Sequence, residues 1–195
     1  YISDICFLKK ETEKWEKQEI KFPTEKKMEA ANGFYLQEKN RFYFNQCEAS
    51  GNGKRRCDLY VSSFENNEWS KPILLNINLK DFTTTQASVF VNNDGKDVLF
   101  FVSDRDGGFG NMDIWTATET EAGIFSEPTV LPQNINTKGI EESPFYDKNS
   151  GLLYFSSDWH YGFGGVDVFK VALNLENANP KNLGLPYNSS ANDLY

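Results

Sequence analysis

The sequence predicts an all-β chain assembled from repeated four-stranded units, and three observations predict it. First, Asp4, Asp58, Asp113 and Asp167 recur at intervals of 54, 55 and 54 residues. Each opens the same pattern of an aliphatic residue and then a large or soft one: Ile5-Cys6, Leu59-Tyr60, Ile114-Trp115 and Val168-Phe169. Self-similarity at a fixed period marks a repeat architecture. Second, other landmarks keep this register, Phe34 with Phe90 and Phe145, and Trp15 with Trp69 and Phe125, so the repeat spans the whole unit. Third, aromatics at 15% with 14 Gly, beside two Met and one His, suit short strands joined by tight turns better than a helical bundle.

The third copy divides most clearly: residues 87–91, a turn through Asn92-Asn93-Asp94-Gly95, residues 97–102, a Gly-rich loop, residues 112–117 and residues 127–131. Each stretch has strand length and is bounded by turn residues. The fourth copy repeats this at 144–146, 152–156, 166–171 and near 182–183, and the second at 34–36, 41–45, 58–63 and 71–75. Four antiparallel strands in about 54 residues, repeated, is the sequence form of a β-propeller, whose blades bury their faces on their neighbours. The second strand of a unit reads as a continuous apolar run, Leu99-Phe100-Phe101-Val102 or Leu152-Leu153-Tyr154-Phe155, as a strand covered on both faces should. Pro72 and Pro128 open the fourth strand, and proline, which cannot donate a ladder hydrogen bond, belongs at an edge. The mixed-charge stretch 9–27 carries Glu and Lys at helical spacing. Trp15 keeps the strand register there and Pro23 stops a helix, so a strand turn and a fourth strand are expected.

The whole chain therefore reads as one β-propeller region of four-stranded antiparallel blades, about three and a half of them. Residues 1–32 hold the third and fourth strands of a partial blade, 33–84, 85–140 and 141–190 are blades, and 191–195 start the next. A ring needs at least four blades, so further blades or another chain are expected to complete it and to cover the open edge. A formal charge of −8 with a pI near 4.8 argues against a nucleic-acid partner, the one dense basic run being Lys54-Arg55-Arg56. No run of about 18 apolar residues is present, so membrane association is expected only through regions outside this chain.

Three cysteines are an odd count. Cys47 and Cys57 flank one hairpin loop and can face each other across two strands, a possible disulfide that requires an oxidising compartment. Cys6 takes the slot of Tyr60, Trp115 and Phe169, which suits a small buried hydrophobe.

The loops between second and third strands, Ser103 through Asp113 and Ser157 through Asp167, are the most distinctive segments. Their glycines permit positive φ, Asp104 and Asp158 can accept backbone N–H groups, and Asp113 and Asp167 can clamp the far end. Asp104, Asp106 and Asp113 also invite a calcium reading, but the spacing fails the helix-loop-helix pattern and the second copy lacks the first two carboxylates. No metal and no cofactor are expected. The lone His160 stands between Trp159 and Tyr161 with no marked Ser or Cys nucleophile nearby, and none of 28 acidic residues is singled out as a glycosidase pair. No catalytic residue is assigned. Phe109, Trp159, Tyr161 and Phe163, with Arg105 and His160 beside them, are the candidate binding residues, because large apolar side chains in Gly-rich loops often mark a recognition surface. Trp15, Trp69 and Phe125 recur in register and read as packing between blades. Antiparallel connectivity puts the aromatic loops on one face with Asn76-Ile77-Asn78 and Asn134-Ile135-Asn136, the candidate binding face.

Residues 153–158, 162–169 and 182–193, with Phe125-Ser126-Glu127-Pro128, Asn134-Ile135-Asn136-Thr137 and Glu141 through Phe145, resemble the WD-like, TolB-type propeller repeats of bacterial envelope proteins. The match covers about residues 85–195; the second copy departs from it where the Cys47–Cys57 segment replaces the Ser-Asp and glycine loop. The variant is most similar to propellers of OmpA-family lipoproteins in Bacteroidetes. The resemblance implies a non-catalytic scaffold in the periplasm, associated with the outer membrane, with other envelope proteins as partners and with links to type IX secretion, gliding and peptidoglycan anchoring. TolB-type repeats also accompany serine peptidases, but no Gly-x-Ser-x-Gly elbow occurs here. The alternative is a glycan-binding or glycan-cleaving propeller that uses the aromatic loops and carboxylates not yet identified.

Overall fold

A computed structural model describes residues 6–11, 14–20, 22–23, 30–49, 55–175 and 178–194. Asp4 lies outside the described residues. Among them there is no α-helix, and sixteen strands arrange into one hairpin and three larger antiparallel sheets. The hairpin is β1 (Cys6–Glu11) with β2 (Lys14–Glu19). Trp15 is therefore in a strand, where helical charge spacing had offered the competing reading.

The second copy forms the sheet β3 (Ala30–Leu36), β4 (Arg41–Ala49), β5 (Arg55–Glu65), with β6 (Glu68–Trp69) and β7 (Ile73–Leu74) both paired to β5. The third forms β8 (Thr84–Val91), β9 (Asp97–Ser103), β10 (Asp113–Glu121), with β11 (Ile124–Phe125) and β12 (Thr129–Val130) both on β10. The fourth forms β13 (Glu141–Asp147), β14 (Leu152–Ser157), β15 (Asp167–Ala172) and β16 (Lys181–Asn182).

Two expectations about strands need correction. The fourth strand starts earlier than 71 and 127 and is broken in two, because Pro72 and Pro128 supply no N–H to the ladder. Serines fill the gap: Ser70 N donates to Ser63 O, and Ser63 N donates to Ser70 Oγ at 3.0 Å. Ser126 repeats this opposite Thr118. The first strand also begins earlier than 34, 87 and 144. Each first strand carries a bulge in which Asn32 (φ 43°), Gln86 (φ 51°) or Ser143 (φ 52°) turns left-handed. Such a residue breaks the two-residue alternation by which a strand is recognised in sequence.

Stacking of sheets explains the apolar runs. Neighbouring residues of a strand point to opposite faces. Leu99 and Phe101 thus pack with Tyr43, Leu59 and Val61 of the preceding sheet, while Phe100, with Ile114, packs with Leu153, Phe155, Phe169 and Val171 of the following one. Phe125 closes the first of these cores, edge-on to Tyr43 at 6.5 Å. Trp69 sits on the other face of the second-copy sheet with Phe42 and Phe22, the latter stacked 4.6 Å from Phe44. First strands of successive sheets lie against each other, β3 on β8 and β8 on β13, as they must when blades converge on an axis.

Candidate functional site

The loop face is held by side chains at repeat-equivalent positions. Asp113 Oδ2 accepts the N–H groups of Phe109 (3.0 Å) and Gly110 (3.1 Å), and Asp167 Oδ2 those of Phe163 (2.7 Å) and Gly164 (3.0 Å). A Cβ at Gly108 or Gly162 would lie 2.1 or 1.9 Å from these carboxylate oxygens, which is why glycine stands there. Asp104 Oδ1 accepts from Thr83 N at 2.6 Å and Asp158 Oδ1 from Ile140 N at 2.7 Å, tying each loop to the entry of its own blade. Among the described residues no three His, Cys, Asp or Glu side chains converge as a metal set.

The second copy solves the same problem differently. Cys47 and Cys57 stand directly opposite on β4 and β5 and are disulfide-bonded, with Cα atoms 4.0 Å apart. Asp58 accepts from Arg56 at 2.7 Å.

Arg105 and His160 are not surface recognition groups. Arg105 is buried: Nη2 donates to Ile77 O (2.9 Å) and Thr84 Oγ1 (3.1 Å), Nε donates to Ser103 Oγ (3.0 Å), and the guanidinium lies 5.0 Å from the Phe101 ring and 5.3 Å from Trp115. Burial draws its pKa down. His160 does the same task one blade on, with Nε2 2.8 Å from Ile135 O and its ring 5.8 Å from Phe155 and 5.2 Å from Phe169. In space His160 answers Arg105. Phe109, Trp159, Tyr161 and Phe163 do remain outside, at 40, 61, 98 and 59% exposed.

Sequence reasoning missed two further sets of residues. Asn78 and Asn136 are clamps: Oδ1 accepts from Leu59 N or Ile114 N, and Nδ2 donates to the carbonyl of the same residue and to Leu75 or Leu131. Asn188 brackets Val168 likewise. The second set is at the axis. The bulges of β3, β8 and β13 wall a cavity of about 230 Å³, lined by Asn32, Gln86, Ser143 and Phe145 among others. Gln86 organises it: its N–H donates to Asn45 Oδ1 (3.0 Å), its Oε1 accepts from Ser143 N (2.7 Å) and its Nε2 donates to Glu142 Oε2 (3.2 Å). Glu142, the residue before Ser143, is half-buried, while its neighbour Glu141 is fully buried and accepts from Thr137 N (2.7 Å), Thr137 Oγ1 (2.6 Å) and Ser157 Oγ (2.8 Å). Burial pushes the Glu141 pKa up against those donors. The one available signal was a polar residue at equivalent positions of three first strands.

The bulges lie toward the same end of the blades as the aromatic loops, since first strands begin where the second strands run into their loops. An array of four-stranded sheets converging on such a channel defines a β-propeller. No protein-family model matches the sequence, and no curated protein is similar to it in sequence. Solved structures do share its fold. The α-L-arabinanase of Penicillium chrysogenum complexed with arabinobiose aligns with TM-score 0.62 at 9% identity, over 93% of this chain and 59% of that one. An α-L-arabinofuranosidase of Fusarium graminearum, also with arabinobiose, aligns at 0.60 and 11%, over 91% and 57%. A protein of unknown function from Dyadobacter fermentans aligns at 0.58 and 14%, over 95% and 53%. The chain thus spans between half and two thirds of the length of these structures.

These comparisons correct the resemblance to TolB-type and OmpA-family propellers. The structures that share the fold include arabinan-directed hydrolases, and no family model supports an envelope lipoprotein. The non-catalytic scaffold, with its links to type IX secretion and peptidoglycan anchoring, loses its basis accordingly. The physical reason is visible in the loops: the aspartates and glycines that carried the resemblance are clamps that fasten a blade, so they report the fold and not the family. The expectation that the chain is no enzyme rested on that resemblance, on a lone histidine without a marked nucleophile and on no acidic pair being singled out, whereas the structures that share the fold include glycoside hydrolases. Glycoside cleavage uses carboxylates and needs neither a histidine nor a Ser or Cys nucleophile.

Proposed function

We propose that this propeller acts on glycans, taking a pentose-containing polysaccharide at the channel mouth, with Glu142 as the carboxylate this chain brings to the reacting sugar. One observation carries the reading: Gln86, which lines a cavity walled by three inner strands, holds Glu142, the residue before Ser143 of that lining, and the bulges lie toward the same end of the strands as the exposed aromatic loops. Ligand sites favour such concave places where a few convergent polar groups meet apolar walls. The arabinan-acting neighbours support the choice of substrate. The disulfide supports an oxidising compartment for the protein.

The test is release of reducing ends from arabinan and xylan by the full chain and by Glu142→Gln. Loss of a reacting carboxylate should lower the rate by about 10²–10⁴-fold. Equal rates for both proteins would remove Glu142 from the reaction. Cleavage requires a second carboxylate, and binding without turnover would leave a glycan-binding propeller.

A further inference from the structure

The geometry points to an uncharged polysaccharide strand as the ligand of the loop face, running outward from the channel mouth across Phe109, Trp159, Tyr161 and Phe163. This rests on the glycan reading above and adds the kind of chain and the path it takes. The four rings are exposed on loops whose backbones are already pinned by Asp113, Asp158 and Asp167 and plugged by His160. Aromatic side chains presented by fixed backbone lose little freedom on binding, which distinguishes a platform from apolar residues stranded on mobile loops.

Residues 137–140 run between the two loops and lead directly into Glu142. A Cβ on Gly110 would lie 2.4 Å from Thr137 O, and one on Gly139 would lie 2.8 Å from Trp159 Cβ, so the absence of side chains at both glycines lets the loops nest on this segment. Phe109 and Trp159 thus flank residues 137–140, the segment that leads to Glu142, and Tyr161 and Phe163 follow on the second loop.

Charge selects among polymers. The chain carries −8 overall, and the same loops hold Asp104, Asp106 and Asp158 against one exposed lysine, Lys138, on the segment between them. A polyanion, whether nucleic acid or a uronate polymer, is repelled here. The electron-rich faces of the rings attract the positively polarised C–H edges of a neutral sugar.

Calorimetry on the full chain with soluble linear arabinan, arabinobiose and polygalacturonate tests this. Arabinan should bind about tenfold or more tightly than arabinobiose, and Trp159→Ala/Tyr161→Ala should bring arabinan affinity down to the disaccharide's level with an unchanged melting temperature. Ile124→Ala, an exposed apolar change at the opposite end of the blade, should not alter the ratio. Arabinan affinity untouched by the double substitution, or polygalacturonate bound more tightly than arabinan, overturns the inference and leaves the glycan reading standing. Failure of arabinan, xylan and arabinobiose alike to bind overturns both.

Discussion

Asp97 is fully buried, and it gathers Arg41 (2.7 Å), Lys39 (2.5 Å) and the Tyr43 hydroxyl (2.5 Å) from the preceding blade. Glu119 adds a second carboxylate, 2.6 Å from Arg41 and 3.2 Å from Lys39. Burial and then Asp97 drive the Tyr43 pKa upward, so that hydroxyl stays a donor. A buried ion pair is weak evidence of net stability, but removing one partner strands the other charges. Asp97→Ala should therefore cost about 3–5 kcal/mol in urea unfolding. Burial works against the charged form of Glu119, but the Gly123 N–H and Arg41 outweigh it and hold its pKa below the usual carboxylate range. Its contribution is present above that range and is lost as pH falls through the lower folded value. Glu141 has the opposite sign: its raised pKa makes a cost that appears as pH climbs from the ordinary carboxylate range through the folded value. Urea midpoints of Glu119→Gln and the unaltered chain should differ at pH 7 and converge toward pH 3. A constant gap across that interval would show that Glu119 acts by packing alone.

At the scale of an element, each loop between second and third strands needs an internal plug, and the blades use different chemistry for one geometry. Arg105 and His160 both reach the carbonyl of an isoleucine while lying against two aromatic rings. His160→Arg should consequently keep the fourth-copy loop, whereas His160→Ala should lose about 1–3 kcal/mol by leaving Ile135 O without its partner. Amide exchange in residues 158–165 separates the two outcomes. The disulfide hairpin has an equivalent duty in the second copy. Cys47 and Cys57 are 10 residues apart, and opening so short a loop should cost about 2–3 kcal/mol. Cys47→Ser/Cys57→Ser should melt lower by that amount, and a reductant should bring the unaltered chain to the same melting temperature.

For the whole molecule, stability resides between blades. The third-copy sheet is sandwiched, and Phe155, Leu153 and Phe169 of the next blade fill the space against its Phe100 and Ile114. Phe155→Ala should cost about 3–5 kcal/mol. Because the cavity wall at the axis is made by three blades in contact, this substitution should also weaken any ligand bound at Gln86 and Glu142, although Phe155 lies on a second strand. Ligand affinity unchanged after such a loss of stability would mean that the mouth is formed without the blade stack.

The sequence by itself determined the repeat and the loops that carry exposed rings, because these depend on local periodicity and on Asp113 and Asp167, whose partners lie within four residues. It did not determine what Arg105 and His160 do, since their partners Ile77 and Ile135 are more than twenty residues away and are brought beneath them only by the fold. Nor did it place Asn32, Gln86 and Ser143 around a cavity: that position depends on a left-handed bulge in each of three strands, and on those strands packing against one another. Local chemistry is written along a chain, whereas a site at an axis exists only once separate blades have packed around it.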